Sequence, residues 1–328
     1  MTTAVPTTAA DLYPRVAHVV PEAEWATMAD DVEAILRLKA ERNAVILAHN
    51  YMTPEIFHGV SDIVGDSLAL AREATTVAAD VIVLAGVHFM AETAKLLNPS
   101  RTVLIPDLRS GCSLAESITP ADVRELRRLH PGVPVVTYVN TSAAVKAESD
   151  ICCTSGNAVA VIESLGVPRV IMIPDRFLAA NIARQTGVEV ITHPGACEVH
   201  ERFVPADIRQ LRIDYPDVTV LAHPECPPEV VDEADYAGST AQMIGFVTRQ
   251  RPRRVALITE CSMSDNVAQQ FPDTEFVRPC NLCPHMKRNT LGKIRRSLET
   301  LTHEVTIDES VAERARAAVE RMLLVGSK

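Results

Sequence analysis

Residues 44–51 read Ala-Val-Ile-Leu-Ala-His-Asn-Tyr, and the pattern of an apolar run followed by polar side chains occurs twice more. The two later stretches are Val135-Val-Thr-Tyr138-Val-Asn140 and Val218-Thr-Val-Leu-Ala-His223-Pro-Glu225. A short β-branched run between turn signals is typical of a buried strand. In open α/β sheets, ligands bind beyond the carboxyl ends of the strands. The repeat therefore predicts three equivalent strands whose tips carry functional side chains.

The elements around these strands are also repeated. An amphipathic helix with an acidic start precedes each strand, near Met28, Thr119 and Val204. A small-residue turn that starts another helix follows each tip, and two further strands complete each unit. The turns are Gly65-Asp-Ser67, Thr154-Ser155-Gly-Asn157 and Gly238-Ser239-Thr240. Asp, Ser and Thr are preferred N-caps, and the free amides at a helix start bind anions.

One cysteine lies near the end of each unit. Cys112, Cys197 and Cys283 are 85 and 86 residues apart, a period that corresponds to a domain and not to a solenoid repeat. We predict an α/β protein of three homologous αβα units with short parallel sheets around a pseudo-threefold axis, with the active site at the centre. The predicted limits are residues 1–27 (N-terminal extension), 28–118, 119–203 and 204–283 (the units) and 284–328 (a C-terminal helical segment that packs on them).

Three thiolates at one centre leave a fourth position of a zinc ion or an iron–sulfur cluster unfilled, as in reactive metal sites. The segment Cys280-Asn-Leu-Cys283 taken alone suggests zinc or a redox pair. The repeat favours Cys283 as the ligand, with Cys280 as a neighbour that could form a regulatory disulfide. The other cysteines have no such equivalence, and we interpret Cys226 and Cys261 as structural.

Composition excludes several classes of function. The formal net charge is −10 over 328 residues, which disfavours nucleic-acid and membrane-surface binding, since both need a basic face. No apolar run is long enough to predict a transmembrane helix. Eight cysteines without an export signal predict a reducing, cytoplasmic location, where thiols more often bind metal or act in redox chemistry than form structural disulfides.

If the three units face one another, the tips, caps and cysteines meet in one pocket. Its tyrosines, histidines and glutamate provide proton-transfer groups, and its amide and hydroxyls provide hydrogen bonds to carboxylates or phosphate. The predicted pocket residues are His49, Tyr51, Ser67, Tyr138, Asn140, Ser155, His223, Glu225, Ser239 and Thr240, above Cys112, Cys197 and Cys283. A zinc hydrolase with three thiolates and a water, or an anion-binding module without catalysis, are the alternatives.

The motifs together resemble those of one family. They run from about residue 44 to residue 293 and include Ala48-His-Asn-Tyr51, Gly65-Asp-Ser67, Gly86-Val-His-Phe-Met-Ala-Glu-Thr-Ala-Lys95, Gly111-Cys-Ser-Leu-Ala115, Thr137-Tyr-Val-Asn-Thr-Ser142, Pro194-Gly-Ala-Cys197, Ala222-His-Pro-Glu-Cys226, Gly238-Ser-Thr240 and Cys283-Pro-His-Met286. On these residues the chain is identified as a member of the quinolinate synthase (NadA) family. Where some relatives carry Cys-x-x-Cys-x-x-Cys, this chain has Val277, Cys280 and Cys283.

The resemblance implies a reaction in de novo NAD biosynthesis. Iminoaspartate and dihydroxyacetone phosphate condense to quinolinate, phosphate and water, and transient contact with L-aspartate oxidase is an implied partnership. A [4Fe–4S] cluster on Cys112, Cys197 and Cys283 is implied, with its fourth iron open to substrate as a Lewis acid. Tyr51 and Glu225 are the preferred acid–base candidates, assisted by His49 and His223.

Overall fold

The fold is built on three short parallel β-sheets, one in each repeated unit. The structure is a computed structural model, in which residues 8–325 are described. Each sheet within this range has four strands in the same order, with the tip-bearing strand second and the other strands added on both sides. The prediction of an α/β protein with three units of parallel sheet is confirmed. Their relation by a pseudo-threefold axis stays a prediction.

The first unit follows two helices at the N-terminal end of the described chain. These helices are α1 (Ala9–Val16) and α2 (Glu22–Glu41). The elements of the unit are β1 (Ala44–His49), a π-helix (Glu55–Val60), β2 (Ile63–Gly65), α3 (Ser67–Ala74), β3 (Val81–Ala85), α4 (His88–Leu97), β4 (Thr102–Leu104) and α5 (Ser113–Glu116).

The second unit repeats this order. Its elements are α6 (Pro120–Leu129), β5 (Val135–Tyr138), α7 (Ala143–Lys146), β6 (Ile151–Cys153), α8 (Ala158–Ser164), β7 (Arg169–Ile173), α9 (Arg176–Ala183), β8 (Glu189–Thr192) and a 3-10 helix (His200–Arg202). Proline at the first position of α6 adds no unpaired amide there, and Thr119 caps this helix through a capping box with Asp122.

The third unit is followed by two C-terminal helices. Its elements are α10 (Pro205–Asp214), β9 (Thr219–Ala222), α11 (Pro228–Asp232), β10 (Tyr236–Ala237), α12 (Thr240–Gln250), β11 (Arg254–Ile258), α13 (Ser262–Ala268), β12 (Glu275–Val277) and a 3-10 helix (Met286–Arg288), before α14 (Leu291–Thr300) and α15 (Glu309–Leu324). The C-terminal helices return to the earlier units, because α14 packs on α2 while α15 packs on α4, α7 and β6.

The central strands are buried, as expected for parallel sheets covered by helices on both faces. All five residues of β3 are buried, and β1 pairs with β3 in parallel from Ala44 opposite Val81 to Ala48 opposite Ala85. The strands therefore end together, and the residues that follow them share one edge of each sheet. This arrangement brings the predicted tip residues toward the pocket described below.

The sequence interpretation missed one strand per unit. β2, β6 and β10 each pair with the tip-bearing strand of their sheet and are only two or three residues long, too short to show a period. It also placed three of the four cap residues wrongly. The N-cap positions are held by Asp66, Asn157 and Ser239, so Ser67 and Thr240 are the first residues of α3 and α12, and Ser155 lies before α8. The predicted unit limits stay predictions; the limit at residues 27 and 28 lies within α2, and residues 1–7 and 326–328 lie outside the described range.

Candidate active site

One pocket is lined by residues from all three units. Its lining combines strand tips of the three sheets with the loops that carry the three cysteines. The structure brings twelve of the thirteen predicted residues to this pocket, and they are His49, Tyr51, Ser67, Cys112, Tyr138, Asn140, Ser155, Cys197, His223, Glu225, Thr240 and Cys283. Ser239 does not line it, because its hydroxyl accepts from the backbone N–H of Gln242 as the cap of α12.

The three cysteines share one local geometry. The backbone N–H groups of the second and third residues after each cysteine hydrogen-bond to its sulfur. The donor pairs are Leu114 and Ala115 for Cys112, Val199 and His200 for Cys197, and His285 and Met286 for Cys283. Amide hydrogen bonds of this kind stabilise thiolates and tune the potential of iron–sulfur clusters.

The thiols need a positive partner to ionise. Burial raises the pKa of Cys112 to about 12 and that of Cys283 to about 11, and it raises the pKa of Cys197 as well. Nearby negative groups add to this increase, including Glu225 beside Cys197. A bound metal centre removes the cost of burying three thiolates, because it supplies the missing positive charge. The donor set therefore fits a metal centre that takes three sulfur ligands.

His49 and His223 occupy equivalent positions in the first and third units. The backbone N–H of Tyr51 donates to Nδ1 of His49 at 3.2 Å, and that of Glu225 donates to Nδ1 of His223 at 3.3 Å. Burial lowers the pKa of His49 to about 4 and that of His223 to about 3. Both rings are therefore neutral at pH 7, and each carries its proton on Nε2, since Nδ1 accepts.

Ser155 and Asn140 bring polar groups of the second unit to the same pocket. The Ser155 hydroxyl lies 3.3 Å from Nε2 of His223, and the protonated Nε2 is the donor in this contact. Oδ1 of Asn140 is buried and has no hydrogen-bond partner among the described residues. A buried acceptor without a donor is costly, so the pocket offers this oxygen to a ligand that can donate.

Glu225 is the centre of a buried acid–base network. Oε2 lies 2.9 Å from Nδ1 of His200, and Oε1 accepts a hydrogen bond from the Tyr138 phenol. Burial opposes its charge, but the adjacent His200 and the hydrogen bonds from His200 and Tyr138 hold the pKa of Glu225 below the usual range. Burial and the charge of Glu225 raise the pKa values of Tyr138 and Tyr51. The network therefore consists of one carboxylate and two protonated phenols.

His200 and Thr259 extend this network across two units. His200 Nδ1 also lies 3.2 Å from Sγ of Cys197, and its Nε2 lies 2.9 Å from Oγ1 of Thr259. The phenol oxygen of Tyr51 lies 2.6 Å from the same hydroxyl. Cys197, His200 and Glu225 also offer ligand atoms that all lie within 4.8 Å of one another. His200 thus contacts a proposed metal ligand, the carboxylate and the hydroxyl that connects to Tyr51.

Sequence reasoning missed both residues, although one of them carried a signal. His200 follows Cys197 by three residues, and its N–H is one of the donors to that sulfur. A search for proton-transfer groups immediately after each cysteine would have found it, together with His285 after Cys283. Thr259 follows β11, the third strand of its unit. The corresponding positions of the other units are occupied by Gly86 and Pro174, so no polar residue marks them.

The loop that carries Cys283 is fixed by a buried ion pair and a disulfide. Lys287 Nζ lies 3.0 Å from Oε1 of Glu260 and donates to the carbonyl of Tyr51 at 2.7 Å. Cys261 and Cys280 form a disulfide. The sequence predicts Cys261 as a structural residue and Cys280 as a neighbour of the ligand able to form a disulfide. The structure pairs these two cysteines and leaves Cys283 free, as it does Cys112 and Cys197.

Comparison with known proteins identifies a family. The model of the family described as "Quinolinate synthetase A protein" matches residues 33–324. "Quinolinate synthase" of Agrobacterium fabrum is 71% identical over 317 residues, which cover 97% of this chain and 92% of that protein. "Quinolinate synthase 2" of Mesorhizobium japonicum is 71% identical over 317 residues, which cover 97% of this chain and 98% of that protein. "Quinolinate synthase" of Caulobacter vibrioides is 57% identical over 318 residues, which cover 96% of this chain and 87% of that protein.

Proposed function

Because the chain belongs to the NadA family of quinolinate synthases, we propose that it condenses iminoaspartate with dihydroxyacetone phosphate. The products are quinolinate, phosphate and water, and the reaction serves NAD biosynthesis. The observation that carries this proposal is the shared pocket: one cysteine from each unit lies beside the network formed by Tyr51, His200, Glu225 and Tyr138.

A [4Fe–4S] cluster fits the donor set of this pocket. Cys112, Cys197 and Cys283 would hold it, since each offers a free thiol with two backbone N–H donors to its sulfur. A cluster with three protein ligands supplies a Lewis-acidic iron that can coordinate substrate oxygen or nitrogen. A single ion has a different possible ligand set, Cys197, His200 and Glu225, which contains only one of the three thiolates of the zinc alternative.

The rest of the pocket suits a substrate with carboxylate groups. Nε2–H of His49 and the hydroxyls of Ser67, Ser155 and Thr240 are neutral donors that line it. Neutral donors in a buried site bind anionic oxygens without adding positive charges that must themselves be desolvated. Asn140 adds an acceptor for the imine N–H or for a substrate hydroxyl. Together these groups can orient a dicarboxylic imine against a hydroxyketone.

The acid–base work is divided among ionised and neutral groups. Glu225 is the only carboxylate among the tip residues and can accept a proton from a carbon next to a carbonyl. Tyr51 stays protonated, so its phenol can donate to an oxygen that leaves as water. Tyr138 and His200 both hydrogen-bond Glu225 and hold its carboxylate in one orientation. The two candidate groups thus have opposite protonation states, as acid–base catalysis requires.

No helix among residues 8–325 is long and apolar enough to span a bilayer. We assign the reaction to the cytoplasm, where a reducing environment favours the free thiols of Cys112, Cys197 and Cys283. Transient contact with L-aspartate oxidase would deliver iminoaspartate before it hydrolyses.

Anaerobic purification followed by metal analysis and a turnover assay tests the proposal. We expect iron and sulfide in equal amounts, absorption near roughly 400 nm typical of thiolate-ligated clusters, and quinolinate formed from dihydroxyacetone phosphate and freshly generated iminoaspartate. Stoichiometric zinc without iron would favour the hydrolase. Iron without quinolinate formation would contradict the assigned reaction while leaving the cluster in place.

A further inference from the structure

Two asparagines hold the tip residues of neighbouring units. Asn266, in α13 of the third unit, donates from Nδ2 to the carbonyl of Asn50 at 2.9 Å and to that of Met52 at 2.7 Å. These carbonyls belong to the residues on either side of Tyr51. Asn266 is fully buried, so its amide is committed to this contact between the third and first units.

Asn181 makes the same contact one unit earlier. It lies in α9 of the second unit, and its Nδ2 donates to the carbonyls of Pro224 at 2.8 Å and Cys226 at 2.9 Å. These two residues flank Glu225. The second unit therefore holds the tip of the third as the third holds the tip of the first.

The two asparagines occupy equivalent positions in their units. Asn181 follows the last residue of β7, Ile173, by eight residues, and Asn266 follows the last residue of β11, Ile258, by eight residues. Oδ1 of each has no partner within the described chain. Leaving a buried amide oxygen unpaired costs free energy. Both asparagines leave Oδ1 unpaired while Nδ2 donates to two carbonyls. The nitrogen assignment is fixed, because only an N–H donor can face two carbonyls.

The tips held in this way have identical turns. The N–H groups of Tyr51 and Met52 bond to Nδ1 and the carbonyl of His49, at 3.2 and 2.9 Å. The N–H groups of Glu225 and Cys226 bond to Nδ1 and the carbonyl of His223, at 3.3 and 2.9 Å. The asparagines thus fix the outer face of a turn whose inner face is fixed by a pocket histidine.

The remaining tip lacks this contact. In the first unit the residue eight positions after Ala85, the end of β3, is Thr93, and its hydroxyl bonds to the carbonyl of Phe89 in its own helix at 2.8 Å. The second-unit tip, which carries Asn140, is held instead by Lys146 of the same unit through the carbonyl of Thr141. Among the three tips, only those that carry the acid–base candidates Tyr51 and Glu225 are held by an asparagine of another unit.

We propose that Asn181 and Asn266 are positioning residues, which set the places of Glu225 and Tyr51 in the pocket by bridging the carbonyls on either side of them. This inference rests on the proposed function for the roles of those two groups. Misplacement of a catalytic group by about 1 Å can cost on the order of 100-fold in rate. Threonine is the substitution to test at both positions, because Thr93 occupies the equivalent position of the first unit.

The first test is hydrogen exchange, which does not depend on turnover. Asn266→Thr should speed exchange of the amides of residues 51 and 52 by roughly tenfold or more through local opening, and leave residues 225 and 226 unchanged. Asn181→Thr should show the reverse pattern. Asn98→Ala is the matched control, because this buried amide bonds only the carbonyl of Ala94 in its own helix; it should change neither tip. The proposal would be overturned if either variant speeds amide exchange equally at both tips, or if neither variant speeds it at the tip that its asparagine contacts.

The second test is kinetic. With iron content unchanged, each threonine variant should lower kcat by roughly 10- to 100-fold and leave KM within about threefold of the wild type. In the Tyr51→Phe background, Asn266→Thr should cause little further loss of kcat, because the two residues are coupled. In the Glu225→Gln background it should cause its full loss of kcat, because those two residues are independent. Full additivity in both backgrounds would contradict the assignment. If the wild type makes no quinolinate but the variants show the expected hydrogen-exchange pattern, the proposed function is wrong. The positioning of the two tips by Asn181 and Asn266 would then still be supported.

Discussion

The phenol oxygen of Tyr51 lies 2.6 Å from Oγ1 of Thr259, a residue 208 positions away in the third unit. A carboxylate only accepts, so His200 donates from Nδ1 to Glu225, and its Nε2 lies 2.9 Å from the same Thr259 hydroxyl. One hydroxyl therefore orients both the phenol and the imidazole.

Replacing Thr259 by valine should lower kcat by roughly 10- to 100-fold, since valine has nearly the same shape but no hydroxyl. Thr259→Ser should retain activity within about threefold of the wild type, because it keeps the hydroxyl and loses only a methyl group. Steady-state kinetics at equal iron content measure this. The opposite order, with valine the more active, would show that Thr259 acts through packing.

Tyr51→Phe and Glu225→Gln should each retain the metal centre and lose most turnover. Neither residue is a sulfur ligand, and each substitution removes one proton-transfer group at nearly constant volume. Rates of quinolinate formation, compared at matched iron content, are the measurement. Near-normal rates in both variants would remove the assigned acid and base.

The ligand assignment predicts a clear division among the cysteines. Cys112→Ala, Cys197→Ala and Cys283→Ala should each lose the cluster, measured as iron and sulfide per chain, because each removes one of three ligands. Cys226→Ala should keep it, since Cys226 is buried beside the carbonyl of Ile258. Cys280→Ser should also keep it, because Cys280 pairs with Cys261. An intact cluster in Cys197→Ala is the result that this assignment does not allow.

The buried neutral imidazole of His49 predicts a dependence of stability on pH. Burial lowers its pKa in the folded state to about 4, below the value of about 6.5 expected in the unfolded chain. Between these values the unfolded state binds more protons, so the free energy of unfolding falls as the pH is lowered from about 6.5 to 4, by at most about 3 kcal/mol.

Urea unfolding of cluster-free wild type and His49→Asn, measured across this range, tests this dependence. The difference in unfolding free energy between the two proteins should shrink as the pH falls, because only the wild type loses the contribution of a neutral His49. Buried carboxyls with raised pKa values, such as those of Asp175 and Glu260, have the opposite sign and are common to both proteins. A constant difference would contradict the assigned pKa.

The repeated features of this protein could be predicted from the sequence, because each position of one unit can be compared with the equivalent positions of the other two. The strand ends at His49, Tyr138 and His223 and the spacing of Cys112 and Cys197 are of this kind. Thr259, Asn181 and Asn266 were missed, because their role depends on which carbonyl or hydroxyl of a neighbouring unit faces them. The repeat does place Asn181 and Asn266 at equivalent positions, but it does not show which carbonyls of another unit they contact. His200 lay within reach of the sequence, three residues after a predicted ligand.

The central claim is that three cysteines from three units hold a cluster whose remaining iron faces the substrate. Mössbauer spectroscopy of ⁵⁷Fe-loaded protein, with and without added quinolinate, tests it most directly. We expect about one quarter of the iron signal to change when quinolinate is added, as for one open site in a four-iron cluster. An identical spectrum in both samples, with all iron sites equivalent, would contradict the claim.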